Sequence, residues 1–236
     1  MPLPMVHLNV AVLFAESLQG HVERGPFYLG NIAPDSIHMR EGWTRADKEN
    51  THFNPKSEGD HVEQLKERYL TYIQLHVDER WKWFVRGYFM HVLTDFYWFR
   101  SVHPAFVKQV TMTDQDSGIN RTKDELGRLY YQETDQIDFN LYQQASWSGE
   151  VWQVLETASG YDIADLLTAE EILRWRDHTF SFFNERANEP GIIPQYITDV
   201  KISTFVDDIV QRLKVLFHGW DIELQHANIS IQAKLR

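Results

Sequence analysis

Apolar positions recur at helical spacing through most of the chain. Val6, Val10, Leu13 and Leu18 mark a first helix over 5–19. Residues 26–38, "PFYLGNIAPDSIH", form a short apolar element broken at Pro34. The stretch 40–58 is polar and turn-rich and reads as a loop. One long helix is expected over 59–77 and another over 79–101, and Pro104 suits the first turn of the next. The pattern continues through 105–112 and 122–145. Thr168 followed by Glu171 has the spacing of a capping box and marks a further helix start. "NEPGIIPQ", 188–195, is a turn, and a last long helix covers 196–217. "ISIQ", 229–232, is too short to assign. With no internal repeat and no low-complexity linker, the expectation is one all-α domain over 1–236, a multi-helix bundle.

Composition narrows the chemistry. The chain has 236 residues, enough for a sizeable core. A net charge of −11 repels a polyanion, so duplex nucleic acid is not expected as a partner. There is no cysteine, so a transition metal would have to be held by His, Asp or Glu. The amino-terminal segment has an apolar run but no basic region before it, and it is interrupted by His7 and Asn9. It reads as a helix of the mature protein. No run approaches the roughly 20 apolar residues of a membrane span. A cytoplasmic location and no integral membrane association are therefore expected. Nothing in the sequence indicates an oligomeric state.

One segment breaks the apolar pattern in an informative way. In "GYFMHVLTDFYW", 87–98, His91 and Asp95 lie four apart, on one helical face, with Gly87 one turn earlier. A lone pair of this kind is most often a core histidine satisfied by a carboxylate. Three further residues change that balance. His7 interrupts the first helix, Asp35 follows Pro34 in an apolar element, and His52 lies in "NTHFNP". Three imidazoles and two carboxylates suit zinc, and also iron, nickel or manganese. One Asp can bridge two ions, so the set would hold one ion well and a second less completely. His38, one turn after Asp35, is a candidate to line the same pocket. Phe96, Tyr97, Trp98 and Phe99 read as core, and His21, His61 and His76 as solvated. His178 reads as a capping or packing residue.

The ordered pieces "MVHLNVA", "FYLGNIAPD", "TH" and "GYFMHVLTD" together resemble the zinc-dependent phospholipase C family and, more distantly, the fungal single-strand nucleases. The resemblance covers roughly residues 5–100. It implies an all-helical fold and a metal cluster that hydrolyses phosphate esters. Asp35, His52, His91 and Asp95 match one metal site, and Asp95 would bridge to a second ion held by His7. His103 matches the first histidine of the family's remaining site, whose His-x-x-x-Glu occurs nowhere in this chain. Asp35 is the expected catalytic residue, orienting or deprotonating the attacking water. Arg24, Arg40 and Arg86 are candidates to hold a phosphate. The substrate expected is a small-molecule phosphate ester. The competing expectation is a non-catalytic helical protein with a structural or vestigial metal site. A helical His-Asp phosphohydrolase is disfavoured, because no His-Asp dipeptide is present.

Overall fold

The computed structural model describes residues 3–54 and 60–234, with side chains described as far as residue 226. Among these residues every regular element is helical, and the one β-bridge, Ile163 with Leu167, is isolated. The protein is all-α. No helix is long and apolar enough to cross a membrane, among the described residues.

The first helix, α1 (Pro4–Glu16), is buried on nearly every face, from Met5 through Ala15. It is a central element of the core. Pro4 sits where a missing N–H costs nothing. The next two N–H groups, of Met5 and Val6, donate to the Asp138 carboxylate at 2.8 and 3.3 Å. That carboxylate belongs to α7 (Lys123–Gln144) and acts as a long-range helix cap.

The segment 26–38 divides into α2 (Arg24–Ile32) and a 3-10 turn (Ala33–Met39) that has Pro34 in its first turn and places Asp35 in the interior. The helix over 79–101 is α5 (Glu79–Trp98), capped by Asp78. Helices α2 and α5 cross at two glycines. A Cβ on Gly30 would strike the Phe84 carbonyl oxygen, and one on Gly87 would strike that of Phe27. Only bare backbone allows this approach. It brings the Asn31 carbonyl to within 2.7 Å of the His91 ring.

The loop expected over 40–58 instead contains α3 (Arg45–Thr51), which starts at a capping box between Thr44 and Asp47 and ends at His52. Residues 55–58 of that loop, and the expected helix start at residue 59, lie outside the described residues. Phe53 follows His52 with φ +50°, a left-handed conformation unusual for an aromatic residue. Its ring is stacked on Phe89 at 5.1 Å, and that packing holds the turn that positions His52.

The remaining elements are α4 (His61–Tyr72), α6 (Val102–Ser117), α8 (Ser148–Glu156), α9 (Ala169–Asn184) and α10 (Asp199–Lys234). Pro104 falls in the first turn of α6, and Thr168 and Glu171 form the capping box of α9, both as expected. Helix α8 has no counterpart in the sequence reading, and α10 runs well beyond residue 217. Phe217 of α10 packs against Phe14 of α1 and Tyr69 of α4, closing the core around the first five helices.

Candidate metal centre

Four helical segments deliver one polar cluster of five side chains into this apolar interior. His7 comes from α1, Asp35 from the 3-10 turn, His52 from the end of α3, and His91 and Asp95 from one face of α5. All five side chains are buried. They form two overlapping groups with ligand atoms close enough to share an ion: Asp35, His52 and His91, and His7, His91 and Asp95.

The ring orientations are set from behind. His91 Nδ1 donates to the Asn31 carbonyl at 2.7 Å, and His52 Nδ1 to the Lys48 carbonyl at 2.9 Å. Each Nε2 lone pair therefore faces the cluster, the arrangement found behind metal-ligating histidines. The two Nε2 atoms are 3.3 Å apart. His52 Nε2 lies 3.5 Å from Asp35 Oδ1 and 3.6 Å from Asp95 Oδ2. His91 Nε2 lies 3.8 Å from Asp35 Oδ2 and 4.0 Å from Asp95 Oδ2. Bonds of about 2.1 Å give edges of about 3.4 Å in a tetrahedral shell and about 3.0 Å in an octahedral one. These separations put the Asp35, His52 and His91 donors close enough to share one ion, with Asp95 Oδ2 within 4.0 Å of both imidazole Nε2 atoms.

The other Asp95 oxygen, Oδ1, faces His7 Nε2 at 3.4 Å. Neither atom has a hydrogen-bond partner among the described residues, nor does His7 Nδ1. Buried polar atoms are seldom left so, and an ion shared between them would satisfy both. The His7 ring is stacked on that of His91 at 3.7 Å. Asp95 thus presents one oxygen to each group.

Protonation states also suit ligation. Burial opposes the charge on Asp35, yet His52 and the Lys48 ammonium hold its carboxyl well below the usual range. Burial opposes the Asp95 charge too, and His7 and His91 beside it keep that carboxyl low. Burial, with His7 adding to it, presses the His91 imidazole down to about 3. At neutral pH the cluster offers carboxylates and a neutral His91, the forms that bind a metal.

Several expected participants stand elsewhere. His103 packs against Phe99 and Tyr130 and belongs to neither group. All three candidate phosphate-binding arginines are engaged: Arg24 with Glu150, Arg40 with Glu171, and Arg86 with Asp221. His38 does border the site, 4.0 Å from Asp35 Oδ1 and 3.0 Å from Lys48 Nζ. Burial first, and then Lys48, lowers its pKa. His61 is buried rather than solvated, because as the first residue of α4 it packs on Phe96. His21 is exposed beside Glu23, and His178 stacks on Trp175. Of the aromatic run, only Trp98 is buried, and Phe99 is exposed.

Two contributors escaped the sequence reading. Lys48 Nζ sits 2.9 Å from Asp35 Oδ1. It lies one helical turn before His52, a spacing that could have flagged it. A cavity of about 350 Å³ also opens beside the cluster, with His52 and Asp95 in its wall.

No family model matches the chain, and neither a curated protein nor a solved structure matches it significantly. Fold and site together define an all-α protein with two buried, overlapping His/Asp groups able to hold a metal ion.

Proposed function

We propose that the protein is a metal-dependent phosphoric ester hydrolase of the zinc-dependent phospholipase C type. The observation that carries this reading is the convergence of buried His52, His91, Asp35 and Asp95 donors, 3.3–4.0 Å apart, beside an open cavity. Zinc suits a set of imidazole nitrogens and carboxylate oxygens of this kind. His52, His91, Asp35 and Asp95 would hold one ion. His7 and Asp95 Oδ1 would contribute to a second, less complete shell. A bound ion supplies Lewis acidity, lowering the pKa of a water and offsetting charge that grows on phosphoryl oxygens.

The chain's own residues then have separate tasks. Asn31 and the Lys48 carbonyl fix the two imidazole rings. Asp35, with Lys48 on Oδ1, orients the attacking water or accepts its proton. The apolar wall around α5 excludes bulk water from the cluster.

A second reading has its own observation. Four buried protein donors from His52, His91, Asp35 and Asp95 can equally close a structural site, leaving no position for water. The two readings part in one set of measurements. Purified protein is expected to bind stoichiometric zinc, to lose most of it in His91→Ala and Asp95→Ala, and to hydrolyse nitrophenyl phosphate esters when loaded. Zinc retained in both variants would remove α5 as the ligand scaffold. Zinc bound without hydrolysis of any ester in a broad panel would establish the structural reading.

A further inference from the structure

The cavity beside the cluster carries charge that the ligand set does not need. Although the chain is strongly acidic, Arg45, Lys48 and Arg100 all line it. Arg45 is paired with Glu49 at 3.0 Å. Lys48 faces Asp35. Arg100 has no carboxylate partner among the described residues, and its guanidinium carbon lies over Phe96, 3.6 Å from the ring centroid. His61 lines the same cavity, is 8% exposed, and has an Nδ1 with no hydrogen-bond partner among the described residues. His61 and Arg100, both packed on Phe96, thus place an imidazole with an unpartnered Nδ1 and a guanidinium without a carboxylate partner at one wall of the cavity, a setting suited to an anion.

The charge count selects among anions. The three cations are balanced by Glu49, Asp95 and, behind Lys48, Asp35, so the cations and carboxylates of the metal-free site sum to zero. One divalent ion leaves a net charge of +2. That matches a phosphate monoester dianion, whereas a diester carries a single charge and leaves one cation unanswered. Val92, Phe96 and Phe99 supply an apolar side for the leaving group, in a space sized for a small molecule.

We infer that this cleft is specific for small phosphate monoesters, whose non-bridging oxygens are held by Arg100 and His61. The inference rests on the metal-site reading above. It adds what the ligands themselves do not determine, namely which phosphate ester is preferred and which residues choose it.

The test uses full-length protein at pH 8, where a monoester is a dianion. Inorganic phosphate binding is measured by calorimetry with and without zinc, and turnover is measured with nitrophenyl phosphate and bis(nitrophenyl) phosphate. Phosphate should bind only the zinc-loaded form. Arg100→Met and His61→Phe should each weaken it about 10- to 100-fold, the loss of one charge-assisted contact, with zinc content unchanged. Arg128→Met, a charge control on α7 away from the cleft, should bind phosphate as wild type does. The monoester should be the better substrate, and Arg100→Met should raise its KM more than that of the diester. Wild-type phosphate affinity in both cleft variants, or a preference for the diester, would overturn the inference while leaving the metal site standing. Failure of the protein to bind zinc would overturn the metal reading and this inference with it. Zinc-dependent, Arg100-dependent phosphate binding without turnover would retain the anion site and remove the hydrolase.

Discussion

Removing His91 should change how acid destabilises the protein, by an amount that can be stated beforehand. An unfolded histidine takes up a proton near pH 6.5. Folded His91 resists protonation down to about 3, because burial, with His7 stacked against it, disfavours the cation. Between those values the unfolded chain binds one more proton at this residue than the folded chain does. Stability is therefore fully present above pH 6.5 and falls as pH drops, with a slope of about 1.4 kcal/mol per pH unit. From pH 6.5, where the unfolded residue is half protonated, to 4.5 that is about 2.3 kcal/mol from one side chain. His38, His61 and His103, also lowered chiefly by burial, add to the wild-type slope. Asp138 and Asp135 work against it. Burial pushes the first well above the ordinary carboxyl range and the second to about 6, so their folded forms hold protons that the unfolded chain releases. The difference between wild type and His91→Gln isolates the one residue. Asp35 and Asp95, held low, titrate below this window. The assay is urea denaturation at half-unit steps from pH 6.5 to 4.5, with chelator present to exclude metal linkage. The His91→Gln curve should be flatter by about one proton's slope. Parallel curves would refute the argument that His91 is buried as a neutral imidazole.

Gly87→Ala should lower the thermal midpoint by the equivalent of about 1–3 kcal/mol or more, since its methyl meets the Phe27 carbonyl and forces α2 and α5 apart; an unshifted melting curve would mean the crossing is slack. Asp138→Ala should cost about 1–2 kcal/mol by denaturation, because two buried N–H groups of α1 lose their acceptor. Asp138→Asn should be milder, because the amide oxygen still accepts; equal losses in both variants would point to packing rather than capping.

What could be read from the sequence depended on whether the signal was local. The α9 start was legible because Thr168 and Glu171 cap each other within one turn. The shared face of His91 and Asp95 follows from helical geometry alone. Helix α3 was missed because only Thr51 of it is buried, so it has no hydrophobic period, although Thr44 and Asp47 carry the same capping signal as α9. His61 looked solvated between Asp60 and Glu63, and the contact that buries it, Phe96, is 35 positions away. The engaged states of Arg24, Arg40 and Arg86 depend on Glu150, Glu171 and Asp221, each more than 100 residues distant. Pairings of that range leave no periodic trace. Asp138 was invisible for the same reason: its role is defined by the end of another helix.

Asp35 is where the proposed chemistry is most exposed to test, because its environment pulls its two tasks apart. A carboxylate held well below the usual range by His52 and Lys48 is a dependable ligand and a weak proton acceptor. General-base assistance is worth roughly 100- to 10,000-fold when the base is well matched to its operating pH, and Asp35 is not. A water already brought to a pKa of about 7 by zinc needs orientation more than a strong base. Asp35→Asn keeps the shape and a carbonyl oxygen for the metal but loses the acceptor that Lys48 holds in place. Its turnover at saturating zinc should therefore fall by about 100-fold, the low end of that range, with zinc occupancy checked in the same samples and little changed. A fall of 10,000-fold at full occupancy would make Asp35 a true base and would mean that Lys48 does not govern it. Wild-type turnover in Asp35→Asn would reduce Asp35 to a ligand and leave the attacking water to be oriented by some other group in the cleft.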